Sequence, residues 1–362
     1  MGAIPIRRWV KRGAKWTAGA AGVALLALVV WCLIPIRPTV ARQQPGPETR
    51  YWPLAKGYRI AYTHLPAAPG TSKKPPIVYL HGGPGGYVHS SIVRTLAPLA
   101  ARGHDLFFYE QVGSGRSDRL PRPKDYSFLG HVADLDEIVT RHLRAERVIL
   151  IGQSYGGQLA AEYVALHPGR VERMVLSSPG AIQPALFDEA GRWVNEAKYP
   201  VPAGLRFVEP PAVALDGLRF WPLRALASIA VATLFDVKLM PDAEADAVLD
   251  TLAAGFTKGM VCDPTHVQPE EGGAGFYAHG GGNWYGDLED PRPQLRQRTL
   301  PVLVLQGACD HLSYAGTWEY VDLFPNARYR FVEGAGHILW WDRPEEYLRA
   351  IQEFLAEDRP EG

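Results

Sequence analysis

The chain has 362 residues, and its 38 basic and 38 acidic side chains give a formal net charge of zero, so nucleic acid is not expected as a partner. A hydrophobic fraction of 47% excludes global disorder and allows a sizeable core. Three cysteines exclude a disulfide framework, and the lack of a C-x-x-C pattern leaves a cysteine zinc site unsupported.

The N-terminal segment predicts a membrane anchor. A basic flank, residues 1–16, contains Arg7, Arg8, Lys11, Arg12 and Lys15. The following residues 17–36 are uncharged, and about 20 helical residues are enough to cross a bilayer. Because a basic flank stays in the cytoplasm, we expect an uncleaved transmembrane helix with the rest of the chain outside the cytoplasm. The alternatives are signal cleavage after Ala41, which would secrete the protein, and burial of the segment in the soluble domain.

Beyond a linker at residues 37–49, the chain predicts an α/β core with an insertion. Residues 50–180 alternate short apolar runs with helical stretches, which predicts βαβ units and a mostly parallel sheet. The predicted strands there are residues 58–63, 77–80, 105–109, 148–151 and 171–176. Residues 181–298 are mainly helical and rich in loops, and we expect them to form a cap. The core resumes in residues 299–362, with predicted strands at 302–305 and 329–332.

The segment Gly152-Gln153-Ser154-Tyr155-Gly156 has the pattern G-x-S-x-G between a predicted strand and a helix-forming stretch. Strand, sharp turn and helix together are the context of a nucleophile elbow, in which a serine hydroxyl is exposed at the apex. The flanking glycines leave space that side chains would obstruct. The pattern therefore predicts Ser154 as a nucleophile.

A serine hydroxyl needs an adjacent base, and the base needs a third group to orient it. In the α/β-hydrolase order, an acid and then a histidine follow the serine, each after a separate strand. Asp310 follows the sixth predicted strand and His337 follows the seventh. We therefore expect Ser154 to attack a carbonyl carbon, His337 to take and return the proton, and Asp310 to orient the imidazole. Asp342 and Glu345 resemble a capping box at the start of the last helix.

The loop after the second predicted strand is a candidate oxyanion hole. It has the sequence H-G-G-P-G-G over residues 81–86. Acyl transfer requires preorganised N–H donors, and glycine lets backbone approach a ligand closely. Because Pro84 has no N–H, we expect the donors to be the amides of Gly83 and Tyr155.

Three motifs resemble those of the proline iminopeptidase family of α/β-hydrolases: His81–Gly85, Glu110–Ser117 and Gly152–Gly157. The resemblance extends from about residue 50 to residue 356, in the core rather than in the insertion. It implies an α/β-hydrolase fold with a mainly helical cap, and release of an N-terminal proline or another small residue from short peptides through an acyl-enzyme. It implies no metal and no organic cofactor. Where the family motif has D-Q-R-G-S-G-R-S, this chain has Glu110 and Val112 in place of the acid and the arginine.

In that family, glutamates of the cap bind the free α-amino group of the substrate, because a buried ammonium needs a negative partner. The candidates in the insertion are Glu189, Glu196, Glu209, Glu270 and Glu271. Aromatic side chains that could line an apolar pocket, or pack in the core, are Trp193, Phe276, Tyr277, Trp284 and Tyr285.

Two other functions remain open at this stage. An esterase or amidase of small neutral substrates would use the same fold but need no partner for an ammonium group. A non-catalytic binding protein would have no reason to keep the three triad residues together with an oxyanion loop.

The pairing of Cys262 and Cys309 is also open. A single disulfide would require an oxidising compartment. The favoured expectation is two unpaired, buried thiols.

Overall fold

An eight-stranded sheet forms the centre of the fold. The computed structural model describes residues 22–23, 26–35, 40–209, 223–282, 284–286 and 288–357. The strands are β1 (Arg50–Pro53), β2 (Arg59–Leu65), β3 (Ile77–Leu80), β4 (Leu106–Tyr109), β5 (Val148–Gln153), β6 (Val171–Ser177), β7 (Val302–Cys309) and β8 (Ala327–Gly336). Their order is β1-β2-β4-β3-β5-β6-β7-β8, with β1–β2 and β2–β4 antiparallel and the other neighbours parallel. The predicted mostly parallel α/β sheet is confirmed.

Both faces of the sheet are covered, which explains why its central strands are apolar throughout. Along β3, Val78 and Leu80 belong to one buried cluster, and Ile77 and Tyr79 belong to another on the opposite face. Successive side chains of a strand point to opposite faces, so a strand buried on both sides has little room for polar residues. Polar side chains therefore collect in the loops beyond the strand ends, where ligands of open parallel sheets bind.

Helices of the core pack on these two faces. On one face lie α1 (Ser90–Leu96) and α11 (Pro344–Ala356), and on the other lie α2 (Phe128–Glu137) and α3 (Tyr155–Leu166). Two further helices of the last part of the core are α9 (Tyr314–Leu323) and α10 (Leu339–Asp342).

The predicted insertion lies between β6 and β7, which pair directly in the sheet. The two parts of the core are thus neighbours in space, and because the strands are parallel the insertion leaves at the carboxyl end of β6 and returns to the amino end of β7. Its described helices are α4 (Val194–Lys198), α5 (Leu223–Phe235), α6 (Asp242–Phe256), α7 (Phe276–Gly280) and α8 (Arg292–Leu295). We call residues 181–298 the cap.

The predicted anchor falls only partly within the described residues. Residues 26–33 are helical, whereas 17–21, 24–25 and 36 lie outside the described part of the chain, as does the basic flank. Among the residues that are described, no helix has both the length and the apolar composition needed to cross a bilayer. The anchor remains a prediction.

A disulfide joins Cys262 and Cys309, whose Cα atoms are 5.2 Å apart. The expectation of two unpaired thiols is therefore wrong. Cys309 ends β7, and Cys262 follows a short 3-10 helix of the cap, Thr257–Met260. The bond ties the cap to the carboxyl edge of the sheet, a contact between distant segments that no local pattern reveals. Cys32 is unpaired.

Candidate active site

Ser154 lies at a sharp turn between β5 and α3. Its φ of 53° and ψ of −119° place it in a region that residues with a side chain rarely adopt, and such a conformation costs about 1–3 kcal/mol. Backbone hydrogen bonds hold it there, because the Ser154 amide donates to the Ser177 carbonyl at 3.0 Å and the Ser154 carbonyl accepts from the Gly180 amide at 3.0 Å. The turn presents the serine as the elbow motif predicts.

The glycines of the motif are sterically required. A Cβ added to Gly152 would collide with the Gly156 carbonyl, and a Cβ added to Gly156 would collide with the carbonyl of Leu80. The close approach of α3 to β3 and β5 therefore depends on both glycines, which explains their spacing around Ser154.

Asp310 and His337 are brought together at the ends of β7 and β8. The His337 Nδ1 lies 2.9 Å from Asp310 Oδ1, and both residues are buried. The same carboxylate oxygen accepts from the Leu312 amide at 2.9 Å. Burial acts to raise the pKa of Asp310, but the charge and hydrogen bond of His337, together with hydrogen bonds from Ser178 and the Leu312 amide, hold the pKa below its ordinary value. An ionised Asp310 can therefore orient the imidazole through its Nδ1–H.

Ser154 and His337 line one cavity of about 360 Å³ between the core and the cap. His311, next to Asp310 in sequence, lines the same cavity. Burial lowers the pKa of His311 to about 4, and neighbouring His337 lowers it further than Asp310 raises it. The structure thus places the three predicted triad residues at one site.

The predicted oxyanion loop approaches Ser154 closely. A Cβ added to Gly82 would lie 3.2 Å from the Cβ of Ser154. Gly83 has a φ of +133°, which favours glycine, and it also lines the cavity. The amides of Gly83 and Tyr155 remain our candidates for the oxyanion donors.

His81 supports this loop, a role that the motif alone did not indicate. Its side chain is buried, its Nδ1 donates to the Gly82 carbonyl at 2.8 Å, and its Nε2 accepts from the Gln111 amide at 2.9 Å. Burial lowers the pKa of His81 to about 4, which keeps the ring neutral and able to make both bonds. His81 therefore fastens the oxyanion loop to the loop after β4.

The two departures from the family motif lie away from the cavity. Glu110 is fully buried and accepts hydrogen bonds from the backbone amide of Arg116 at 2.7 Å and from its Nε at 2.9 Å. Val112 belongs to the larger apolar cluster. Neither Glu110 nor Val112 lines the cavity.

Of the five candidate cap glutamates, Glu270 is the one that lines the cavity with Ser154. It accepts a hydrogen bond from the Tyr87 hydroxyl, and burial raises its pKa. Glu271 instead accepts from the Ser90 amide at 2.9 Å, outside the cavity lining. The other three candidates are exposed to solvent and lie outside the cavity lining: Glu189, Glu196 and Glu209.

Asp250 is a buried acid near Glu270 that the sequence did not single out. It lies on α6, fully buried, where Oδ1 accepts from the Ala274 amide at 2.7 Å and Oδ2 has no hydrogen-bond partner among the described residues. Burial raises the pKa of Asp250 to about 7, and the nearby charge of Glu270 adds to the effect. Nothing in the local sequence distinguishes this residue from a solvated helix position.

None of the five predicted pocket aromatics lines the cavity. Phe276 and Tyr277 are buried in the core, and the Trp284 ring packs edge-on at 5.7 Å from Tyr155. The apolar wall comes instead from the cap residues Leu249, Ala253, Phe256 and Met260 and from the core residues Ile338, Trp340 and Trp341.

Asp342 does not form the predicted capping box. Helix α11 begins at Pro344 without a side-chain cap. Asp342 instead accepts from the amides of Gly336 and Cys262, both at 2.8 Å. It thereby links the loop that carries His337 to the cap.

A family model described as alpha/beta hydrolase fold matches residues 75–344 of this chain. The proline iminopeptidase of Lactobacillus helveticus is 28% identical over 302 residues, which cover 78% of this chain and 90% of that protein. The proline iminopeptidase of Saccharolobus solfataricus is 25% identical over 288 residues, covering 77% of this chain and 84% of that protein.

Among solved structures, the esterase RhEst1 from Rhodococcus sp. ECU1013 superposes with a TM-score of 0.55 at 20% identity, covering 86% of this chain and 99% of that one. Identity this low establishes a shared fold and nothing more specific.

Proposed function

Because the chain belongs to the family of the alpha/beta hydrolase fold, we propose that it is a serine hydrolase that releases an N-terminal proline, or another small residue, from short peptides. Ser154 attacks the scissile carbonyl while His337 takes its proton, and Asp310 holds the imidazole in the required orientation. The amides of Gly83 and Tyr155 donate to the oxyanion that forms.

The bond changes follow from these positions. The Ser154 Oγ bonds to the carbonyl carbon, and the C–N bond breaks as His337 donates its proton to the leaving amine. Water then attacks the acyl-enzyme, with His337 as the base, and releases the free amino acid and Ser154. Loss of Ser154 therefore removes the nucleophile, loss of His337 removes the base, and loss of Asp310 removes the group that orients the base.

One observation carries the assignment to peptides with a free N-terminus. Glu270 is the only carboxylate among the described residues that line the cavity with Ser154. An ammonium group enters a partly apolar cavity only with a negative partner, and Glu270 provides one. The proline iminopeptidases to which the chain is similar have such a substrate by name.

Comparing a prolyl-arylamide with a short acyl ester tests the proposal. We expect Glu270→Gln to lower kcat/KM for the arylamide by about 10–100-fold, as expected when a charged partner is lost, and to leave the ester unaffected. Glu271→Gln is the matched control, since this neighbour lies outside the cavity lining. Ester turnover without any arylamide turnover would overturn the peptidase assignment.

The second candidate is an esterase or amidase of small neutral substrates. The apolar wall formed by α6 and by Trp340 and Trp341 favours it, because a neutral acyl group needs apolar contact and no charged partner. In that case Glu270→Gln would change hydrolysis of the arylamide and of the ester no more than Glu271→Gln does.

We also propose that the catalytic domain lies outside the cytoplasm, held by the N-terminal anchor. The disulfide of Cys262 and Cys309 supports this location, since such bonds persist in oxidising compartments. Cell fractionation and digestion of intact cells with an added protease test it. A protein that stays in the soluble cytoplasmic fraction with both thiols reduced contradicts the proposal.

A further inference from the structure

His311 has no part in the proposed mechanism, although it lies at the centre of the site. It directly follows Asp310, and its ring centroid is 4.4 Å from that of His337. Its side chain is 37% exposed, whereas the carboxylate of Asp310 is fully buried. The imidazole is therefore accessible from the cavity on one side and contacts the candidate triad on the other.

The three side chains present donor atoms at distances that suit one metal ion. His337 Nδ1 is 2.9 Å and His311 Nδ1 is 3.9 Å from the same atom, Asp310 Oδ1. All three side chains offer ligand atoms within 4.8 Å of one another. Tetrahedral zinc with bonds of ~2.0–2.1 Å separates its ligand atoms by about 3.3 Å. The two distances to Asp310 Oδ1 lie on either side of this value, so His311, whose side chain is 37% exposed, must rotate toward the other two ligands to complete the geometry.

The carboxylate of Asp310 is fully buried, and its Oδ1 accepts a hydrogen bond from the Leu312 amide. A buried carboxylate is more stable with a cation nearby.

We propose that Asp310, His311 and His337 form an inhibitory zinc site. Two imidazole nitrogens and one carboxylate oxygen are ligands that zinc prefers, and the cavity leaves a fourth position for water. Magnesium and calcium prefer sets of oxygen ligands and should bind poorly.

Zinc at this site would block the proposed catalysis. The ion binds the lone pair of His337 Nδ1, so the single ring proton moves to Nε2 and the hydrogen bond between His337 and Asp310 is lost. With Nδ1 bound to the metal and Nε2 protonated, the imidazole cannot accept the proton of Ser154. Inhibition is therefore reversible by a chelator. This consequence rests on the proposed function, whereas zinc binding itself does not.

The binding experiment uses the full-length chain, purified without a histidine tag in a non-ionic detergent, with the substitution Ser154→Ala. This variant has all three ligands and lacks the nucleophile, so calorimetric titration with zinc chloride measures binding independently of turnover. We expect one zinc ion per chain at this site, no comparable binding of magnesium, and affinity at least about tenfold weaker when His311→Gln is added.

His279→Gln is the matched control, because His279 lines the same cavity but does not belong to the ligand group. Circular dichroism shows whether each variant is folded, and Asp310→Asn serves as a second ligand variant that should also lose zinc. In the enzyme with Ser154 intact, the zinc concentration for half inhibition should rise at least tenfold in His311→Gln and not in His279→Gln. Zinc binding that is absent, or that His311→Gln and Asp310→Asn leave unchanged, overturns the proposal. If zinc binding depends on His311 and Asp310 but the protein has no hydrolase activity, the zinc site is supported and the proposed function is overturned instead.

Discussion

The Tyr87 hydroxyl of the core donates a hydrogen bond to the Glu270 carboxylate of the cap. The same hydroxyl accepts from the Glu271 amide at 3.0 Å. Tyr87 follows the oxyanion loop in sequence, so the acid proposed to bind the substrate amine is held by the segment proposed to stabilise the oxyanion. The two ends of a bound N-terminal residue would therefore be positioned by one short stretch of backbone.

Tyr87→Phe should weaken the binding of substrates that have a free amino group, and it should shift the pH dependence of their hydrolysis. Burial raises the pKa of Glu270, and the Tyr87 hydrogen bond acts to lower it. Without that bond the pKa rises further, so the acidic limb of kcat/KM for a prolyl-arylamide moves to higher pH, while ester hydrolysis keeps its profile. Tyr199→Phe is the control, because Tyr199 donates to Asp322 in the same way at another place. An acidic limb that stays in place would show that Glu270 does not titrate in substrate binding.

Ser154→Ala should abolish turnover and labelling by a fluorophosphonate probe. Loss of a catalytic serine lowers kcat by about 10⁶-fold in a well-studied serine protease, and the probe reacts only with an activated serine. Exposed Ser72→Ala should be labelled like the wild type. Failure of the wild type to react would revive a non-catalytic role.

Removing the disulfide with Cys262→Ser and Cys309→Ser should destabilise the fold. The bond spans a sequence separation of 47 residues, for which the loop-entropy relation gives about 4 kcal/mol. Urea denaturation of the double variant, and of the wild type with and without reductant, measures this difference. Cys32→Ser is the control, since Cys32 is unpaired. An unchanged urea midpoint in the double variant would mean that the bond contributes nothing to stability.

Glu162→Gln should make stability less dependent on pH. Glu162 is buried on α3, and burial, together with the charge of Asp290, raises its pKa from 4.5 to about 7. The folded state therefore binds the proton more tightly than the unfolded state, and the wild type loses stability as pH rises from about 4.5 to 7. The loss is at most about 3 kcal/mol.

The variant should consequently have a higher Tm than the wild type at pH 8 and the same Tm near pH 4. Exposed Glu146→Gln should show no such difference. A Glu162→Gln variant that is less stable than the wild type at pH 8 would mean that the ionised carboxylate is stabilised in the fold.

The catalytic core was predictable because its signals are local. A strand buried on both faces must be apolar, so β3 is found at the predicted residues 77–80. The serine turn needs Gly152 because a Cβ there would collide with nearby Gly156, whereas the need for Gly156 itself comes from the carbonyl of Leu80, far away in sequence. Strand β1 was missed, because Arg50–Pro53 is short, ends in proline and pairs on one side only.

The cap was not predictable in the same way, because its important contacts join residues far apart in sequence. Glu270 and Glu196 have the same chemistry, and only the packing of the cap puts one in the cavity and leaves the other in solvent. Asp342 matches a capping box in the local sequence, but in the structure it accepts a hydrogen bond from the amide of Cys262 instead. Likewise, the local sequence does not show that the His311 ring lies beside His337, because β8 brings the two rings together.

The pairing of β6 with β7 has a consequence for how this chain can vary. Ser177 at the end of β6 lies beside Leu305 of β7, and Val302 at the start of β7 lies beside Met174, so the cap belongs to a crossover connection between two neighbouring parallel strands. Closing a loop grows costlier only with the logarithm of its length, about 0.6 kcal/mol for each doubling. Segments of very different size and sequence can therefore be accommodated between these strands while Ser154, Asp310 and His337 stay in register. Substrate range and bond-breaking chemistry can change independently of each other in a molecule built in this way.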